Sequence, residues 1–292
     1  MKKVYLFISM IILVILACSS ATVAIPTNPA PTNIAAPTQI PATSAPSETT
    51  TTLPPPSGTS ASFGPLSLVL PSGLSSGISG SQLSRADGQD VPYWGLTPGH
   101  TQIDLNGYVL QGKFHKPQIF IYPAQAYAEL VPAAFENIHR LNNILGNPGA
   151  SINSDQLPTV PFFNAAQVFA SNIQIVTFQS GRGVRFLTEY AQYAASANNH
   201  DLFYEFQGLT SDGAYYIIAI LPITSPLLGE TSDPASAVSI GGVAFPNMGD
   251  PNADWKGYYN AVTVQLNAQA PTDFVPTLNL LDLLIQSIRI TP

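Results

Sequence analysis

One cysteine in 292 residues, Cys18, leaves the rest of the chain without a thiol. Residues 19–292 can therefore form no disulfide, thiolate metal site or cysteine nucleophile, and the core alone must hold the fold. Charge is also scarce, at 9% of the chain against roughly 25% in ordinary soluble domains, so hydration falls largely to Ser, Thr, Asn and Gln. Lysine and arginine number 10 against 17 acids, a formal net charge of −7. That balance argues against a nucleic-acid partner and against electrostatic adhesion to anionic lipid. The four histidines, His100, His115, His139 and His200, include no pair at metal-ligand spacing. No Gly-x-Ser-x-Gly elbow occurs, since the nearest approach, from Gly77 to Ser81, ends in serine. No cofactor is implied and no spacing assigns a catalytic residue, although a triad needs no fixed spacing.

What is present begins at the N-terminus. Lys2 and Lys3 precede an apolar run over residues 4–16, too short for a membrane-spanning helix of about 20 residues. Charge, apolar stretch and a small residue at the end together read as an export signal. The ending Ile15-Leu16-Ala17-Cys18 resembles the lipobox of bacterial lipoproteins. The resemblance implies that residues 1–17 are removed and that Cys18 becomes an N-terminus carrying acyl chains such as palmitate. Its bilayer partner would be a cell membrane or outer membrane, with the protein facing out of the cytoplasm. Cleavage after Ala24 instead would release a secreted protein without lipid. Loss of Lys2 and Lys3 makes the net charge two units more negative.

Residues 18–61 hold the lipid-bearing Cys18 and a stretch of Thr, Pro, Ala and Ser with one charge, Glu48. So few apolar side chains cannot offset the entropy of ordering, which predicts a disordered tether. Its reach is roughly 40 Å as a coil and about 130 Å fully extended, enough to lift a domain clear of lipid headgroups.

Residues 62–292 are expected to form a single globular domain with a sizeable core. Strand patterns run over 66–70, 102–111, 118–122, 166–170, 173–180, 184–193, 202–207 and 214–221, while 73–80 is too rich in Gly and Ser to be regular. Asp212-Gly213 marks a hairpin turn. The run 118–122 reads as buried on both faces, and Arg185 and Glu189 share one alternation of a strand with a wet side. Tyr127, Leu130, Ala134, Ile138, Leu141 and Leu145 recur at helical spacing, divided by Pro132 and closed by Gly146. A second helix carries Trp255, Tyr259, Val262 and Leu266. A third runs from a Thr277 cap to residue 286, before a closing strand over 287–291. Strands, helix, antiparallel meander and helices in that order predict an α+β fold, an antiparallel sheet covered by helices as a sandwich.

Two ends of this domain carry a second resemblance. Residues 64–73, where Leu66, Leu68 and Leu70 lead into Pro71 and Gly73, and residues 280–290, where an apolar helix ends at Ser287 before a short strand, are similar to the ends of PsbP/Mog1-like domains. The resemblance implies a noncatalytic binding or assembly role and transfers no site residue. The overall layout resembles that of lipoproteins with threonine- and proline-rich tethers.

Candidate binding residues are few. Tyr93 and Trp94 lie in a loop and can present flat faces to sugars or peptides, whereas Trp255, Tyr258 and Tyr259 share a helix whose stripe is expected in the core. Arg182 and Arg185 flank Gly183 and are the close basic pair of the domain, suited either to an anion or to an exposed hairpin end paired with acids. Asp250, Asn252 and Asp254 resemble the first half of a calcium loop, but Trp255 and Ala261 stand where glycine and glutamate are needed, so a turn capping the following helix is the stronger expectation. Glu136, His139 and Arg140 share a helix, with a Glu136–Arg140 surface ion pair expected. These features predict a membrane-anchored extracytoplasmic domain that binds or scaffolds an envelope protein or glycan without catalysis. The alternatives are a hydrolase of envelope polymer, recognisable by a cleft with a perturbed carboxylate beside His or Ser, and a ligand receptor feeding a transporter.

Overall fold

Continuous apolar strands and two pairs of amphipathic helices sort the chain into layers. The computed structural model describes residues 57–147, 149–233, 241–247 and 249–291. The expected signal segment, Cys18 and the tether up to residue 56 lie outside the described residues. Within them stand ten strands and four α-helices. In chain order these are β1 (Gly58–Phe63), β2 (Leu66–Pro71), β3 (Ser75–Leu83), β4 (His100–Tyr108), β5 (Gln118–Pro123), α1 (Ala124–Leu130), α2 (Pro132–Gly146), β6 (Ala166–Phe178), β7 (Gly181–Ala191), β8 (Phe203–Thr210), β9 (Tyr215–Pro222), α3 (Trp255–Ala268), α4 (Leu278–Gln286) and β10 (Arg289–Ile290). None of the described helices is long and apolar enough to cross a membrane.

Seven strands form an antiparallel sheet in the order β3-β4-β5-β9-β8-β7-β6, and β1-β2-β10 form a smaller antiparallel one. Side chains alternate across each strand, so each sheet residue belongs to one face. On one face Phe120, Tyr122, Phe186, Ile218 and Ile220 pack with Tyr127 of α1 and Ala134, Leu141 and Leu145 of α2. On the other, Ile103, Ile119, Leu187, Ile217 and Ala219 meet Val262 and Leu266 of α3, Leu281 and Leu284 of α4, and Leu66 and Leu68 of β2. Each such side chain contributes roughly 1.5–3 kcal/mol by leaving water. The architecture is the expected α+β sandwich, an antiparallel sheet covered by helices.

Several elements differ from the sequence pattern. β1 starts at Gly58, ahead of the boundary expected at residue 62, because pairing with β2 orders a segment that has little apolar character. The Ser- and Gly-rich stretch after Gly73 is not irregular but forms β3, ordered by its ladder to β4. Gly80 is required there, since a Cβ would lie 2.4 Å from the Phe63 ring. The two runs before β7 form one strand, β6, whose register shifts between Ser171 and Gln174 around Asn172 at φ +52°. The buried stripe of α3 is Tyr258, Val262 and Leu266, one residue off the expected Tyr259. Arg185 and Glu189 do share one face, but it is buried, at 5% and 2% exposure, because α3 and α4 return to cover it.

Candidate functional site

At the end of the sheet where β7 stops and β8 starts, loops enclose a cleft of about 540 Å³. Its walls are unusually aromatic, with Trp94, Phe114, Phe162, Phe163, Tyr190 and Tyr193 all lining it. Of the five large exposed rings among the described residues, Trp94, Phe114 and Tyr193 line it, Tyr93 lines a second cavity and touches Trp94, and Phe135 on α2 lies elsewhere. Exposed rings gathered on one concavity mark a surface kept for a partner rather than scattered packing leftovers.

The loops are fixed by hydrogen bonds. Phe114 N donates to His200 O at 2.9 Å, joining the β4–β5 and β7–β8 loops. Tyr93 Oη donates to Asn164 Oδ1 at 3.1 Å and Gln192 Nε2 to Asn164 O at 2.7 Å, while Val160 N donates to Tyr190 Oη at 3.0 Å. From beneath, Tyr258 Oη accepts from Ala197 N and Tyr259 Oη both accepts from Ala195 N and donates to its carbonyl. These two tyrosines of α3 therefore position the β7–β8 loop instead of offering their faces to a ligand.

Two acids and one histidine bring chemistry to this cleft. Glu189, next to the end of β7, accepts from Asn198 N at 2.7 Å through Oε1, its one side-chain hydrogen bond among the described residues. Asn198 Nδ2 also donates to Asp201 Oδ2 at 3.0 Å, so one residue holds both carboxyls. Asp201 in turn faces His200 Nδ1 at 2.6 Å. Burial pushes the Glu189 carboxyl well above the usual carboxylate range; the Asn198 N–H opposes this and the Asp201 charge adds to it. His115, stacked on Phe163 with ring centroids 5.1 Å apart, is pushed down from 6.5 to about 4 by burial, with Asp201 opposing and His200 assisting. Behind the wall a polar chain runs into the core. Tyr190 Oη donates to Glu205 Oε2 at 3.3 Å, Gln207 Nε2 donates to Glu205 Oε1, and Tyr216 Oη donates to Gln207 Oε1. Burial raises Glu205 from 4.5 to about 8, with the bonds from Gln207 and Tyr190 opposing.

The residues expected to bind are not gathered at one place. Tyr93 and Trp94 stand at the cleft, in T-shaped contact at 4.9 Å. Arg182 is exposed near the opposite end of β7, eight residues or about 26 Å from Tyr190 along the strand. Arg185 is buried beneath α4, with Nε 3.3 Å from Asp282 Oδ1, Nη2 bonded to Gln174 Oε1 and Nη1 to Asn172 O. Asp254 caps α3 by accepting from Gly257 N, and Asp250 accepts from Asn252 N within the preceding turn. No group of three potential ligands for a metal is found among the described residues. The expected Glu136–Arg140 pair does not form among them, because Arg140 donates to the carbonyls of Asp155 and Leu157. Sequence reading missed Phe114, His115, Phe162, Phe163, Glu189, Tyr193 and Asp201; the usable signal was aromatic residues in loop stretches next to Pro161 and Pro117.

No protein-family model matches the chain, and no curated protein or solved structure shows significant similarity to it.

Proposed function

We propose that the chain is an extracytoplasmic lipoprotein, anchored through acylated Cys18, whose α+β domain binds an envelope or extracellular component in the cleft at the end of β7 without converting it. The observation that carries this reading is the cleft itself, an aromatic-walled volume of about 540 Å³ whose loops are fixed by their own hydrogen bonds. A preorganised concavity of this size suits a small ligand or the end of a polymer. The signal and lipobox pattern of residues 1–18 supports the location, and replacing Cys18 with alanine should release the protein from membranes. Native mass spectrometry of the full chain from detergent-solubilised membranes tests the binding. A co-purified adduct lost in Phe163→Ala is expected, and adduct-free spectra of the natural chain would count against the reading.

One observation favours a second reading, a hydrolase acting on envelope polymer. Burial holds the Glu189 carboxyl toward its protonated form beside Asp201 in the cleft, and a general acid next to a second carboxyl is the arrangement of glycoside-cleaving sites. Turnover of chromogenic glycosides, lost in Glu189→Gln, would establish it; absence of turnover by the natural chain would dismiss it.

A further inference from the structure

The aromatic cleft differs from four other cavities in lacking any basic residue as well as in its rings. Four other cavities each take a lysine or arginine into their lining: Arg140 in two of them, Lys113 and Lys116 in a third, and Arg182 in the fourth. The aromatic cleft takes none, and its two charged-type residues are Glu189 and Asp201. The cavity of about 520 Å³ beside Arg182 is similar in volume and has no aromatic ring in its lining. Volume alone therefore does not single out the aromatic cleft; the coincidence of rings and acids does.

Part of its hydrogen-bonding supply is already committed. Tyr190 Oη is committed to Glu205 and Val160, both oxygens of Asn164 accept from Tyr93 and Gln192, and Asp201 is engaged by His200 and Asn198. Phe114, Phe162 and Phe163 offer faces and no polar atom. Glu189, only 2% exposed, is the one acid of the lining without a cationic or side-chain partner among the described residues. A pyranose would draw on the neutral polar groups of Asn164, Gln192 and Tyr193, whereas a substituted ammonium needs ring faces and one carboxylate, and these walls present both together.

We propose that this cleft binds an organic cation, a small molecule with a substituted ammonium group held against the rings of Trp94, Phe163 and Tyr190 and paired with Glu189. This rests on the reading of the cleft as a ligand site and adds the ligand's chemical class. Ring quadrupoles attract the cation most when water is excluded. The arriving charge also compensates a buried carboxyl that the protein itself leaves without a cationic partner. Neutral His115 permits this, since it adds no opposing charge beside the rings.

The test is calorimetric titration of the full chain, solubilised in a polyoxyethylene ether detergent free of choline and sugar headgroups, with choline chloride. Parallel titrations use its uncharged carbon isostere 3,3-dimethylbutan-1-ol, and glucose. Choline is expected to bind at least about tenfold more tightly than the isostere, and Trp94→Ala and Glu189→Gln should each weaken choline by about tenfold. Trp94 lies on the rim, so its replacement leaves the core intact and keeps the test decisive if Glu189→Gln misfolds. Equal binding of choline and the isostere, or binding of glucose alone, would overturn the cationic class while leaving the cleft as a ligand site. No heat from choline would overturn the cationic class too, and the adduct measurement on Phe163→Ala then decides separately whether the cleft binds anything.

Discussion

Arg185 and Glu189 project from the same face of one strand, four residues apart and almost equally buried, yet their surroundings are opposite. Arg185 is enclosed by Asp282, Gln174 and the Asn172 carbonyl, and Tyr204 Oη completes the site by donating to Asp282 Oδ1 at 2.8 Å. Glu189 receives one backbone N–H and opens on a cleft. The first joins α4 to the sheet, and its charge is already paired with Asp282. The second has no cationic partner among the described residues and lines the cleft where rings gather. Burial of a charged group therefore does not by itself mark function; an incomplete shell facing a cavity does.

That contrast can be broken at several points. The largest effect is expected at the paired site. Arg185→Met strands Asp282 beneath α4 and should lower unfolding free energy by about 3–5 kcal/mol in denaturant titrations, with Arg185→Met/Asp282→Leu recovering most of the loss. Next comes the pH dependence set by the buried acids. Glu205 titrates from 4.5 to about 8 on folding and Glu189 also moves upward, so the folded state holds protons that the unfolded chain has released. Their contribution is fully present below about 4.5 and is lost as pH rises, for Glu205 toward about 8, at about 1.4 kcal/mol per unit of displacement. His115 acts in the reverse sense, since its descent from 6.5 to about 4 makes stability rise with pH across that interval. Thermal unfolding between pH 6.5 and 8 therefore isolates the carboxyl effect, and Glu205→Gln should reduce that slope and leave the part that belongs to Glu189.

Smaller effects sharpen the functional half of the contrast. Glu189→Gln keeps an oxygen for Asn198 N and removes the cost of a buried acid, so the free protein should gain about 1–2 kcal/mol at pH 7 while losing cation binding. Stability gained together with binding lost is the signature of a residue kept for a partner. Asp254→Ala, which removes the α3 cap far from these charges, should cost about 1 kcal/mol and leave ligand titrations unchanged.

Helices were legible in the sequence because their signals are local. Pro132 opens α2, Gly146 closes it, and Thr277 caps α4 by accepting from Leu280 N. β5 and β9 were legible because runs of Ile, Phe and Tyr need burial on both faces. β3 was not, since Ser and Gly there express no preference and only β4 supplies the ladder. Alternation placed Arg185 and Glu189 on one face but could not show that α3 and α4, tens of residues later, would cover it. The cleft was legible only at Tyr93 and Trp94. Its other residues come from four separate chain segments with no mutual spacing, and the hydrogen bonds of Asn198 and Asn164 that assemble them exist only in the fold.

The central claim is that Glu189 is a buried acid lacking the cation that its neighbour Arg185 has in reverse. Carbon NMR of the Glu189 side-chain carboxyl, followed through a pH titration with and without choline chloride, measures this directly. The predicted result is a free-state midpoint well above the ordinary carboxylate range that falls when choline is added. A midpoint unmoved by choline, or a carboxyl already ionised in the free protein at acidic pH, would contradict it.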